Sequence, residues 1–323
     1  MEYSRIIRHP ATLVDEIKGF VLAIGNFDGL HQGHRTVITT ARSIARSDNR
    51  VPFGIVTFEP HPYQVLKPDH LPLRLSTLRT KLRFFESLEV DYVIVLRFDV
   101  RLQQTRAEDF VSKILIGQLK ARHLIVGHDF RFGRDRQGDV TFLRHLTSRW
   151  STEVTIVDKL KDATGKPYSS SAVRHALARG DLSHATSILG HPWYLSGRVR
   201  KGDQRGRTIG FPTANIDLGD HVRPAFGVYA VYVGIDQGAQ TIWHHGVANL
   251  GRRPTVGGTE ERLEVHLFDF VGDLYGKNII VQLIDYLRAE QRFDGYEALK
   301  AQIISDAANA RNRLAISKQP AHL

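Results

Sequence analysis

A chain of 323 residues is long enough for two domains that each bury a core, and 42% hydrophobic with 24% charged residues excludes a disordered or fibrous protein. The absence of cysteine rules out disulfides and thiolate metal sites, and no long apolar run follows the N-terminus, so neither a signal peptide nor a membrane span is expected and a cytoplasmic location is. The formal charge of +10 comes from Lys and Arg dispersed along the chain, with no zinc-finger spacing, aromatic RNA-recognition signature or long basic block, and so points to small polyanions such as nucleotides rather than to nucleic acid.

In chain order, short apolar runs at 20–24, 52–57, 92–96, 123–126 and 154–157 alternate with helical periodicity at 36–45, 77–87, 107–116 and 140–148. This βαβα order calls for a parallel sheet covered by helices on both faces, whose ligands collect beyond the carboxyl ends of the strands. Three motifs fall at such ends: Gly25-Asn26-Phe27-Asp28-Gly29-Leu30-His31-Gln32-Gly33-His34, then Glu59-Pro60-His61-Pro62, then Gly127-His128-Asp129-Phe130-Arg131-Phe132-Gly133. Helical stretches at 171–178 and 182–189 read as a packed connector. From Tyr194 the pattern changes to strands at 194–199, 228–233, 241–248, 262–268 and 279–286, which predicts a small antiparallel barrel, with an amphipathic helix at 298–314 to cover one side.

In the first half, His31 and His34 stand at or beside the first turn of a helix that follows a buried strand. Unpaired backbone amides and the helix dipole favour an anion there, and two imidazoles donate to phosphate oxygens, an arrangement suited to the phosphate chain of ATP. An HxGH between glycines signals nucleotidyl transfer, in which positioning and charge neutralisation carry the catalysis and no covalent nucleophile is needed. The motif alone leaves the acceptor open. A histidine pair at this spacing is otherwise a surface or metal feature, but zinc would want a third protein ligand and only Asp28 is near. The cluster Tyr168-Ser169-Ser170-Ser171-Ala172-Val173-Arg174 adds serines able to cap a helix and bind phosphate, with Arg174 to hold a phosphate oxygen.

In the second half, the run from Gly197 to Asn215 carries Gly202, Gly206 and Gly210, and a loop of this kind lets backbone amides approach phosphates. It fits neither the Walker spacing nor the protein-kinase loop. Thr213 and Asn215 offer neutral oxygens to a Mg2+ already carrying phosphate and water, and Glu264 is a carboxylate among apolar neighbours, a candidate base for an acceptor hydroxyl. The plainer alternative makes the glycines turns between barrel strands and leaves Glu264 facing solvent.

Together, 25–34, Thr57-Phe58-Glu59-Pro60-His61-Pro62, 127–133 with Arg136 and Gly138, and 169–174 resemble the FMN adenylyltransferase half of prokaryotic bifunctional riboflavin kinase/FAD synthetases, while 197–215 resembles the riboflavin kinase signature GxVxxGxxxGRxxGxPTAN without a gap. Gly246-Val247-Ala248-Asn249-Leu250-Gly251, Glu264-Val265-His266, Leu274-Tyr275-Gly276 and Leu287-Arg288-Ala289-Glu290 are similar to the same family. The resemblance implies a parallel-sheet, Rossmann-like nucleotidyltransferase domain at 1–186 and a six-stranded antiparallel riboflavin-kinase barrel with a terminal helix at 187–323. It implies riboflavin, FMN, FAD and ATP as ligands, and Mg2+ as cofactor. By residue, it implies that Gly25, Phe27, Asp28, His31, Gly33, His34, Ser170, Ser171 and Arg174 surround the ATP phosphates of the first half. Asp129 lies on a loop that approaches flavin and nucleotide. In the second half, Gly202, Gly206, Gly210, Thr213 and Asn215 handle Mg-ATP, Glu264 activates the ribityl 5'-hydroxyl and Arg288 lies near the flavin. Tyr168 and His175 depart from the usual family residues.

Overall fold

The computed structural model describes residues 5–8, 19–47, 51–70, 73–202, 206, 210–236, 241–255 and 258–317. Contacts divide the chain into one unit of Met1–Leu71 with Leu78–Ser169, and another of Pro72–Thr77 with Ser170–Leu323.

The first unit runs β1 (Arg5–Ile7), β2 (Phe20–Ile24), α1 (Gln32–Ser47), β3 (Phe53–Glu59), α2 (Pro62–Leu66), α3 (Leu78–Ser87), β4 (Tyr92–Arg97), α4 (Val100–Gln104), α5 (Ala107–Asp109, continuing as π-helical turns through Phe110–Gln118), β5 (Ala121–Gly127), α6 (Val140–Thr147) and β6 (Glu153–Val157). Its sheet has the order β1-β4-β3-β2-β5-β6, with every pair parallel. The chain steps from β2 to β3 and β4, then returns to β5 on the other side of β2. The order therefore reverses at β2, and the loops after β2 and β5 leave the same edge, where open α/β sheets bind ligands.

All five residues of β2 are buried. Successive strand residues point to opposite faces. Phe20, Leu22 and Ile24 enter a core with Phe110, Val111, Leu115 and Leu143, while Val21 and Ala23 enter a second core with Val37, Ile38 and Ala41 of α1 and Phe85 of α3. Full burial of each large apolar side chain is worth about 1.5–3 kcal/mol, which is why this strand reads as an unbroken apolar run.

The second unit runs α7 (Ser170–Ala178), α8 (Leu182–Leu189), β7 (Tyr194–Arg200), β8 (Ala214–Ile216), β9 (Gly227–Asp236), β10 (Thr241–Thr255), β11 (Gly258–Leu267), β12 (Asn278–Ala289) and α9 (Tyr296–Ala315). The strands close into a barrel in the order β10-β11-β8-β7-β12-β9, all pairs antiparallel. Val228, Ala230 and Tyr232 of β9 and Val247 of β10 pack under Ala307, Ala310 and Leu314 of α9. The Tyr232 hydroxyl meets Ser317 Oγ at 2.7 Å at the far end of that helix.

The excursion at 72–77 is built into this unit by hydrogen bonds. Arg74 N donates to Asp220 O at 3.0 Å, Val222 N to Arg74 O at 2.8 Å, and the Trp193 indole to Leu75 O at 3.0 Å. Two strands lay outside the sequence reading. The three residues of β1 and the three of β8 are too short to show a period, and β8 lies inside the motif Pro212-Thr213-Ala214-Asn215.

Candidate active sites

β2 ends at Gly25, whose N–H donates to Val56 O at 3.1 Å. The chain then turns sharply, with Phe27 at φ 49°, Gly29 at 82° and Leu30 at 49°. α1 begins at Gln32, earlier than periodicity predicts, because His31 acts as its cap: the His34 backbone N–H donates to His31 Nδ1 at 3.3 Å. Since Nδ1 accepts, the proton of a neutral His31 sits on Nε2. The two imidazoles stack at 3.6 Å between centroids and 21° between planes. Phe27 packs edge-on against His34 at 5.4 Å. A Cβ on Gly33 would meet the His31 ring at 3.2 Å, and one on Gly25 would meet the Phe27 ring at 3.2 Å, so both glycines leave room for those rings. His31 is 7% exposed and Asp28 2%, so the loop's polar side chains are largely enclosed.

Asp129 is exposed on the loop after β5, the strand beside β2. A Cβ on Gly127 would stand 3.4 Å from its Oδ1. Next to β2 on the other side, His61 caps α2, its Nδ1 accepting the Tyr63 N–H at 3.2 Å while Gln64 Oε1 accepts the His61 N–H at 2.8 Å. The sequence placed His61 at this edge without a role. It gave no signal at all for Lys81, a helix residue whose Nζ donates to the Asn26 carbonyl at 3.1 Å.

Ser170 and Ser171 stand inside the first turn of α7 rather than before it, and belong with Arg174 to the second unit. Arg174 Nε donates to Leu73 O at 2.7 Å, which fixes the base of its guanidinium.

In the barrel, strand register gathers the second set of residues. Asn215 on β8 pairs with Glu264 on β11, Glu264 pairs with Asn249 on β10, and Asn215 pairs on its other side with Arg200 of β7. Directly paired residues share a face. Their strand neighbours Ala214, Ile216, Leu263, Val265, Ala248 and Leu250 are buried, so the four polar side chains form a row on the more accessible face of the wall. The row continues through Val228, which pairs with both Asn249 and Arg288. Asp306 of α9 binds Arg288 in a fork, Nε to Oδ1 at 2.9 Å and Nη2 to Oδ2 at 2.6 Å. Asn249 and Arg200 are the members of the row to which the sequence assigned no role.

The three glycines of the kinase run are required for different reasons. A Cβ on Gly202 would lie 2.3 Å from Asn215 Nδ2, and one on Gly206 would lie 2.1 Å from the Phe211 carbonyl oxygen, while Gly210 has φ 82°. Residues 203–205 and 207–209 of the run lie outside the described ones. Asn215 Oδ1 is buried and has no hydrogen-bond partner among the described residues. An orphaned neutral oxygen two residues after Thr213 in sequence, in a row with a carboxylate, is a donor set that fits a hard divalent cation carrying phosphate and water.

The sequence profile of FAD synthetase matches residues 14–172 and that of riboflavin kinase matches 189–314. Bifunctional riboflavin kinase/FMN adenylyltransferases from Escherichia coli K12 and Bacillus subtilis are 44% and 36% identical, covering 93% and 94% of this chain and 95% and 96% of their own. A solved structure named as a macrolide-efflux protein, from Streptococcus pneumoniae, is similar at TM-score 0.81 and 31% identity, over 96% of this chain and 99% of its own. Among the described residues here, no helix is long and apolar enough to cross a membrane. With both profiles matched in tandem and full-length relatives above 30% identity, the chain belongs to the bifunctional riboflavin kinase/FMN adenylyltransferase family.

Proposed function

We propose that the chain makes FAD in two steps, phosphorylating riboflavin with ATP to give FMN and ADP in 187–323, then adenylylating FMN with ATP to give FAD and pyrophosphate in 1–186. The observation that carries this reading is the presence in one chain of two separate constellations suited to phosphate: the histidine-capped helix start after β2, and the glycine run leading into the Asn215–Glu264–Asn249 row.

In the adenylyl transfer, a phosphate oxygen of FMN attacks the α-phosphorus of ATP and pyrophosphate leaves, so the protein's work is to hold the reactants in line and neutralise charge. His31 Nε2, His34 and the amides of the first turn of α1 take the phosphates. Gly25, Phe27, Asp28 and Gly33 shape the loop, Ser170, Ser171 and Arg174 bind phosphate, and Asp129 lies toward the flavin.

In the kinase step, Glu264 accepts the proton of the ribityl 5'-hydroxyl as its oxygen attacks the γ-phosphorus and ADP leaves. Backbone at Gly202, Gly206 and Gly210 follows the phosphates, and Arg288 holds the flavin side. Thr213 and Asn215 would hold Mg2+, which supplies charge neutralisation to the transferring phosphoryl group when bound. The enzyme acts in the cytoplasm and engages neither nucleic acid nor membrane. Chromatography of flavins after incubation with riboflavin, ATP and Mg2+ tests the reading. FMN followed by FAD is expected, and a chain that forms neither refutes it.

A further inference from the structure

Lys81 carries a charge on α3 and is only 1% exposed, and lysine is almost never enclosed to this degree unless it is paired. Adenylyl transfer as set out above does not use it. Its Nζ donates to Asn26 O at 3.1 Å and reaches Thr57 Oγ1 at 3.4 Å, while the Thr57 hydroxyl, itself 0% exposed, donates to the same Asn26 carbonyl at 3.3 Å. Two buried donors thus converge on one backbone oxygen. The residue after that carbonyl is Phe27, where the left-handed turn begins, and both Phe27 and Leu30 hold φ 49° with side chains attached. Such conformations are strained and persist only where the surroundings determine them.

Four residues along α3, Phe85 packs edge-on against Phe27 at 5.8 Å and 84°. One helix face therefore grips the loop twice, through Lys81 on its carbonyl and Phe85 on its ring. The loop ends at His31, the cap of α1, so a shift at Asn26 is passed along the backbone to His31 and His34. A carbonyl needs only a neutral donor, and Thr57 already supplies one. The ammonium adds a charge-assisted bond and a positive charge that bulk solvent screens little, in a loop that also holds the buried carboxylate Asp28.

We propose that Lys81 is a positioning residue for FMN adenylylation, holding the Asn26 carbonyl so that the 25–34 loop presents its histidines to the ATP phosphates and adding its charge behind them. The proposal rests on reading that loop as the ATP phosphate site. Lys81→Met keeps the length of the side chain while removing its charge and its donors, so it separates positioning from mere packing. The expected result is a folded K81M chain with parental riboflavin phosphorylation and FMN KM, and with a raised ATP KM and adenylylation kcat reduced by about tenfold to a hundredfold. A folded K81M chain with parental ATP KM and kcat overturns the proposal. If K81M does not fold, Thr57→Val decides: a raised ATP KM supports the clamp on Asn26, and parental kinetics overturn it. His31→Ala run beside them separates the two claims, because unimpaired adenylylation in H31A removes the site reading itself, whereas a loss in H31A with none in K81M removes only the role of Lys81.

Discussion

In the first unit the proposed phosphate site is made of side chains that are themselves packed: His31 is 7% exposed, stacks on His34 and caps the helix it serves. In the barrel, the kinase run is made of backbone brought close by missing side chains, with Gly202 against Asn215 and Gly206 against the Phe211 carbonyl. Both sites are proposed to handle the phosphates of ATP, yet one is built from aromatic contacts and the other from the absence of Cβ atoms. The first should therefore be sensitive to removing atoms, and the second to adding them.

The barrel also contains the proposed side-chain base Glu264, and the largest effect is expected there. Glu264→Gln should lower riboflavin phosphorylation by about 10²–10⁴-fold while FAD formation from supplied FMN continues. Unchanged phosphorylation would remove Glu264 from the mechanism. His31→Ala should reduce adenylylation by about 10²–10³-fold and leave FMN formation intact, and equal loss of both activities would end the idea of two independent sites. Gly202→Ala sharpens the contrast. Its Cβ would lie 2.3 Å from Asn215 Nδ2, so the KM for Mg-ATP in the kinase step should rise by about tenfold, whereas a Cβ at Gly33 meets a ring at 3.2 Å and should cost adenylylation less. The reverse order of these two alanine effects would break the comparison.

The smallest effect concerns stability. Asp181 caps α8, its Oδ1 accepting the His184 N–H at 3.0 Å, and that bond, followed by the Ser183 hydroxyl, holds its carboxyl below the ordinary carboxylate value of 3.8. A depressed carboxyl stabilises the fold above the unfolded-state pKa and loses that contribution as pH falls through the folded value. Asp181→Ala should cost about 1 kcal/mol at neutral pH and less in acid, which denaturant melts across the acid range would detect. A constant cost at every pH would remove the charged cap.

Much of this was legible because its physics is local. β2 announces itself by five consecutive apolar residues, and the barrel strands by alternation, so the fold class and the HxGH motif could be read directly. β8 could not, since three residues show no period and its register with β11 emerges only when the barrel closes. Lys81 and Asp306 were hidden for a different reason. Each sits in a helix whose periodicity explains its neighbours, and the importance of each lies in a contact distant in sequence, with Asn26 and Arg288 respectively. The boundary at 186/187 came with the family resemblance and falls inside α8, ahead of the strand patterning that starts at Tyr194. Contacts instead associate α7 and α8 with the barrel unit.

The excursion at 72–77 bears on how the protein is made. A ribosome delivers those residues before β4, β5 and β6 exist, yet their hydrogen-bond partners at Trp193, Asp220 and Val222 emerge more than a hundred residues later. The barrel unit is thus discontinuous in synthesis, and a segment released early waits for partners that emerge late. Excising 187–323 as a gene fragment would discard that segment along with α7, so a fragment of this kind that phosphorylates riboflavin poorly would reveal missing scaffold rather than missing chemistry.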